Sequence, residues 1–97
     1  MKDKNFPDGL VFGEDLTAVG AMKALTEAGV KIPDDVAVTG FNNSIYAEIS
    51  TPALTSIDNK YSLVGECAIK LLKLLLEKSE DVVDMNIRPV LVRRESA

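Results

Sequence analysis

Histidine and tryptophan are both missing from these 97 residues. Without an imidazole there is no side chain that ordinarily titrates near neutral pH and no nitrogen ligand of the kind zinc favours, so Ser-His-Asp catalysis and histidine metal centres are excluded. A single cysteine, Cys67, excludes an internal disulfide. No basic residue stands four positions from it on either side, so an inert thiol near an apolar stripe is the expected role. Basic residues are in the minority, 11 against 15 acidic ones for a net charge of −4, which argues against free-standing nucleic-acid binding. Long apolar runs are lacking too. Leu74 to Leu76, behind Leu71 and Leu72, is interrupted by Lys70 and Lys73, whereas a membrane span needs about 20 residues. The opening residues Met1-Lys2-Asp3-Lys4-Asn5-Phe6-Pro7 carry charge with no secretory-type apolar stretch behind them, so a cytoplasmic chain is expected. Gly9, Gly13 and Gly20 do not have dinucleotide-fingerprint spacing, and Glu14-Asp15 after Gly13 would repel a pyrophosphate, so no cofactor or metal is expected.

What is present is the composition of one globular unit, 46% hydrophobic and 27% charged. Residues 9–12, Gly-Leu-Val-Phe, form a short apolar run between Pro7-Asp8 and Gly13 and predict a buried strand. A helix follows over residues 16–28, with Asp15 expected as its cap, Leu16, Val19, Met22, Leu25 and Ala28 at helical spacing, and Gly29 as its stop. After the turn Pro33-Asp34-Asp35, residues 36–41 predict a second strand that ends in Asn42-Asn43-Ser44. Residues 45–49 predict a helical turn broken by Pro52, residues 54–57 a third strand, and residues 59–78 a long helix. That helix carries Tyr61, Val64, Ala68, Leu71, Leu72 and Leu75 on one stripe and Glu66, Lys70, Lys73 and Glu77 opposite. An acidic loop at 79–84 leads to a last strand at 87–94, in which Pro89 should mark an edge or a break. The fold class is therefore α/β, a Rossmann-like parallel sheet flanked by helices.

A strand, helix, strand unit of this length is normally parallel with a right-handed crossover, so both strands end at one edge of the sheet. The loop at 13–15 then meets the loop at 42–44, where open α/β sheets bind ligands. Asn42, at the strand end, is the better ligand candidate, while Asn43 and Ser44 serve equally well to close a turn. Glu14 and Asp15 form a possible acid and base, against which stands the need for a helix cap. Tyr61 is either a core aromatic or a platform for an apolar ligand face.

The run from Pro7-Asp8-Gly9-Leu10-Val11-Phe12-Gly13-Glu14-Asp15-Leu16-Thr17-Ala18-Val19-Gly20-Ala21 to Ile32-Pro33-Asp34-Asp35-Val36-Ala37-Val38-Thr39-Gly40-Phe41-Asn42-Asn43 resembles the effector-binding domain of LacI/GalR-type transcription regulators. Residues 50–57, Val64-Gly65 and the ending Pro89-Val90-Leu91-Val92-Arg93-Arg94-Glu95-Ser96 continue the resemblance over nearly the whole chain. It implies an incomplete periplasmic-binding-protein-like (type I) subdomain spanning residues 1–97, with a helix-turn-helix head and most of the N-terminal subdomain absent. The implied role is a part of a sugar-responsive repressor, not an enzyme, that contributes half of an effector cleft and part of a dimer interface. DNA would be reached only through the absent head. A periplasmic sugar receptor of a transporter shares the fold and is the alternative, although the ending Val-Arg-Arg-Glu-Ser favours the regulator.

By the same resemblance, effector contacts fall on Glu14, Asn42, Asn59 and Tyr61. The family more often has asparagine, aspartate and glutamine at the first three. All four can bond hydroxyls, so a sugar effector is implied, and the run Gly-Phe-Asn-Asn-Ser at 40–44 hints at maltose. The implied dimer face takes Val19, Met22, Ile45 and Ile49, for which core packing is the competing role. The long helix would pack on the absent subdomain in the family, so a homodimer or a helix-exchanged oligomer is the expected partner state.

Overall fold

The computed structural model describes residues 7–80 and 84–97; residues 1–6 and the centre of the acidic loop, 81–83, lie outside the described residues. The elements run β1 (Gly9–Val11), α1 (Asp15–Glu27), β2 (Ala37–Thr39), α2 (Ile45–Ile49), β3 (Ser56–Asp58), α3 (Tyr61–Leu76) and β4 (Val90–Val92). β1 and β2 pair in parallel, with Leu10 opposite Val38. α1 is the crossover between them. It ends where expected: Gly29 adopts φ 84°, its N–H donates to Thr26 O at 3.0 Å, and the Val30 N–H reaches back to Leu25 O at 2.9 Å. This left-handed closure satisfies carbonyls of the last turn and brings apolar Val30 beside Leu25, the arrangement glycine makes cheap at a helix end.

Ala18, Met22, Val30, Val36, Val38, Ala47 and Leu54 form the core, and Leu10, Phe12, Val19, Leu25 and Ile32 pack against it. Ala18 and Met22 are four residues apart and therefore share the inward row of α1. Met22, expected at a dimer face, is only 2% exposed and belongs to this core. Its side chain is taken up by that core, with an edge that lines a groove beside Val19.

The parallel arrangement continues beyond β2 only briefly. Thr39 forms a parallel bridge to Thr55, and the Gly40 and Asn42 N–H groups donate to Thr55 O and Ile57 O, each at 2.8 Å. β4 then joins β3 in antiparallel register, with Ile57 opposite Leu91. The fold is thus the expected α/β architecture with an antiparallel strand at its edge. β4 is shorter than the run 87–94 because Pro89, which has no N–H to donate, stands immediately before it.

Beyond β4 the chain returns between β2 and the approach to β3. Ser96 is fully buried; the Val38 N–H donates to its carbonyl at 2.9 Å, and its hydroxyl donates to Val38 O at 2.5 Å while accepting from the Thr55 N–H at 2.8 Å. Its own N–H donates to Ala53 O at 3.0 Å. One residue thereby satisfies backbone groups on both sides of a seam that would otherwise be a buried gap in the ladder.

α3 stands apart from this body. None of its residues is buried, and Ile69, Leu72, Leu75 and Leu76 are at least half exposed. The molecule measures 61 × 25 × 17 Å with a radius of gyration of 18.3 Å, against about 13 Å for a compact chain of this length. The stripe read from the sequence exists, but among the described residues nothing buries it. Cys67 lies on α3 and is half-buried with a free thiol.

Candidate functional site

Because β1, β2 and the start of β3 run the same way, the loops that follow them emerge at one edge. Asp15 joins these loops. It is the first residue of α1 and 1% exposed, and one carboxylate oxygen accepts from the Ser44 N–H at 2.6 Å and the Ser44 hydroxyl at 2.8 Å. The other oxygen accepts from the Ser56 hydroxyl at 2.6 Å. The expected cap on Asp15 is therefore corrected. Glu14 occupies the N-cap position with extended backbone and no side-chain cap bond, and the Asp15 carboxylate serves two other segments. A buried carboxylate needs several donors, and two hydroxyls and an amide from loops that must meet supply them better than the local first turn. Its position at the helix start also places its charge at the favourable end of the helix dipole.

Gly40 makes this approach possible. A Cβ there would collide with the Asp15 carboxylate and lie 2.7 Å from Leu54 Cδ2. Beyond it the chain turns through two left-handed residues, Asn42 at φ 101° and Asn43 at φ 50°, a conformation that costs residues with a Cβ about 1–2 kcal/mol and that asparagine tolerates best among them. Fixed partners hold it. The Asn42 N–H donates to Ile57 O at 2.8 Å, the Asn43 N–H to the Ser56 hydroxyl at 2.9 Å, and Arg94 Nη2 to Asn43 Oδ1 at 2.5 Å. Arg94 Nη1 also donates to Leu54 O at 2.8 Å. Among the described residues no buried side-chain polar atom lacks a partner.

Two of the four expected effector residues are in direct contact: Asn59 Nδ2 donates to Asn42 Oδ1 at 2.9 Å. Both are half-buried at the mouth of the loops. Glu14, exposed, opens α1 at the same edge, and Tyr61, 59% exposed, opens α3 two residues after Asn59. The Tyr61 ring is thus outside the core. Lys60 precedes it at φ 55°, with its N–H donating to Asp58 Oδ1 at 2.8 Å, so a local turn sets the start of α3. An edge of this kind, with amides, a carboxylate and an aromatic ring, is suited to hydroxyl-rich ligands. Of the expected dimer residues, Ile45 and Ile49 are 59% and 67% exposed on α2, and Val19 is half-buried. Val19 also lines a groove of about 320 Å³ with Met22, Lys23, Thr26, Glu27, Ser50 and Thr51, along α1 away from the loop edge.

Sequence reasoning missed Ser56 and Arg94. Ser56 lies inside the predicted third strand, where a hydroxyl carries no positional signal, and Arg94 carries none beyond its place in the run 89–96. Among the described residues no group of acidic or cysteine side chains is placed to hold a metal ion, and no helix is long and apolar enough to cross a membrane.

Comparison with known proteins bears on what this edge is for. Residues 1–97 match the family described as periplasmic binding protein-like domain. The chain belongs to that family. This periplasmic binding protein-like chain is 34% identical over 97 residues to the HTH-type transcriptional repressor PurR of Pectobacterium atrosepticum, an overlap of 99% of the chain and 28% of the repressor. The lac repressor dimer bound to operator and the anti-inducer ONPF superposes with a TM-score of 0.86 at 27% identity, covering 93% of this chain and 32% of that one. A complex of the transcriptional regulator CelR with cellobiose gives a TM-score of 0.81 at 31% identity, covering 93% and 28%. The chain spans about 28% of the length of the curated relatives it matches. These relatives are transcription regulators of the LacI type rather than enzymes, and they do not favour the transport-receptor alternative. The hint of maltose in residues 40–44 finds no support in them.

Proposed function

We propose that this chain forms the C-terminal part of the effector-binding domain of a cytoplasmic, sugar-responsive repressor of the LacI/GalR type. The observation that carries the reading is the Asn42–Asn59 amide pair at the carboxyl edge of the sheet, with Glu14 and Tyr61 opening the helices beside it. The fold of a cellobiose-bound regulator supports a carbohydrate as effector. The chain supplies one wall of the cleft, and a helix-turn-helix head elsewhere in the parent contacts DNA. Effector in the cleft favours one relation between subdomains over another, a coupling typically worth about 1–3 kcal/mol.

In the full-length parent, Asn42→Ala weakens the response to effector while operator affinity without effector stays unchanged, as measured by operator-binding titrations with and without the sugar. Equal loss of both would assign Asn42 to folding instead. The 97-residue chain by itself binds sugars no tighter than the millimolar range, since half of the contacts are missing; micromolar affinity in calorimetry would overturn the half-cleft reading.

The dimer face retains Val19, Ile45 and Ile49, with Met22 assigned to the core. A second association involves α3, whose exposed leucines each forgo part of the about 1.5–3 kcal/mol that full burial provides. The isolated chain therefore self-associates as its concentration rises, by exchange or pairing of α3. Leu72→Glu with Leu75→Glu shifts it toward monomer in sedimentation equilibrium. A wild-type chain that stays monomeric at high concentration would contradict this.

A further inference from the structure

Asn42 reaches Asn59 from a loop that is held from two directions. On one side Asp15 takes the Ser44 N–H and hydroxyl; on the other Arg94, arriving just after β4, donates to Asn43 Oδ1 and Leu54 O. Ser56 joins the two, accepting from the Asn43 N–H and donating to Asp15. The left-handed Asn42 and Asn43 therefore sit in a closed circuit of side chains drawn from α1, β3 and the segment after β4.

We propose that Arg94 and Asn43 are positioning residues of the effector site: their contact holds the 42–44 loop in its left-handed form, so that Asn42 presents its carbonyl oxygen to Asn59. The inference rests on the effector reading for its biological meaning but not for its geometry. Neither residue needs to touch the ligand. Arg94 is suited to the task because its planar fork makes two bonds in fixed directions, one to the loop and one to the backbone just before β3, so the loop is referenced to the sheet. Lysine at this position could hold only one of them. The circuit also ties the cleft to the two strands from which α3 is suspended, since Asn59 follows β3 and Arg94 follows β4. A ligand that moves Asn42 thus acts directly on that antiparallel pair.

Hydrogen exchange of the Asn59 side-chain amide, followed by NMR in the 97-residue chain, is the test, because it needs no ligand. In the wild type this amide is protected by its bond to Asn42. Asn43→Ala and Arg94→Gln each abolish that protection, the double variant loses no more than either single one, and Asn43→Asp, which keeps an acceptor and tolerates the left-handed backbone, restores it. The Val38 backbone amide, inside the sheet, stays protected throughout. Protection of Asn59 that survives both single variants overturns the proposal, and so does a loss that extends equally to Val38 and is not rescued by Asn43→Asp. In the full-length protein, tested with cellobiose and lactose, the same two variants weaken binding about tenfold, the scale of one displaced hydrogen bond. A wild type that binds neither sugar while the exchange pattern holds counts against the effector reading and leaves the positioning intact.

Discussion

Gly40→Ala unfolds a large part of the population under conditions where the parent chain is folded. The added methyl group meets the Asp15 carboxylate and Leu54 Cδ2 at once, and lies 3.2 Å from the Asp15 Cα, so the helix start itself must move as well as a side chain. Overpacking alone typically costs about 1–3 kcal/mol. Here relief of the clash draws Asp15 away from Ser44 and Ser56, and the combined loss reaches about 4 kcal/mol or more, at the far end of single-substitution effects. Folded domains are stable by only about 0.05–0.15 kcal/mol per residue, so the loss takes a large share of what this chain has. Urea denaturation measures it. Gly20→Ala is the control: a Cβ at Gly20, inside α1, meets nothing within 4 Å, and the better helix former stabilises by about 0.5–1 kcal/mol. Equal midpoints for the two variants would refute the packing argument.

Asp15→Ala has the second large effect, and Asp15→Asn identifies its cause. If the carboxylate only capped α1, alanine would cost about 1 kcal/mol and asparagine, an equally good cap, almost nothing. The observed geometry requires otherwise. Alanine removes the acceptors of three hydrogen bonds and leaves the Ser44 N–H and the buried Ser56 hydroxyl short of partners, a loss of about 3–5 kcal/mol. Asparagine keeps one acceptor for Ser44 and turns a donor toward the Ser56 hydroxyl, which must give up its own donation to receive it, so it too costs about 1–3 kcal/mol. Chemical denaturation of both variants against wild type distinguishes the two roles: a neutral Asp15→Asn would return Asp15 to the cap.

The contrast between Asp15 and Gly29 shows what could be read from the sequence and what could not. Gly29 closes α1 through its own backbone conformation, a local matter decided by residues 25–30, and the sequence states it. The strand and helix periodicities are local in the same sense, and so is the convergence of loops 13–15 and 42–44, which follows from the handedness of the crossover. The partners of Asp15 lie 29 and 41 positions away and those of Arg94 up to 51. No spacing rule links them. A carboxylate beside a predicted helix start reads as a cap because that is the nearest use for it, and Met22 reads as interface or core with equal ease until α1 is docked on the sheet. Of the candidate site, Asn42 was legible from its place at a strand end, Glu14 and Tyr61 each stood between two roles until the family resemblance chose one, and Asn59 needed that resemblance altogether. The bond between Asn42 and Asn59 depends on the register of β3 against the loop, which only the folded chain supplies.

The burial of Ser96 has a consequence for the order in which this chain can be made. Its hydroxyl and backbone complete the hydrogen bonding of Val38, 58 residues earlier, and of Thr55, 41 residues earlier. A ribosome that has released β1, α1 and β2 has therefore released a sheet with an open seam, whose ladder closes only when Ser96 has emerged. Contacts of such long sequence separation form late and slowly, and an unpaired strand edge is exposed in the interval. Until Ser96 is in place, β1, α1 and β2 are therefore a sheet with one edge unmade, however well each element forms by itself.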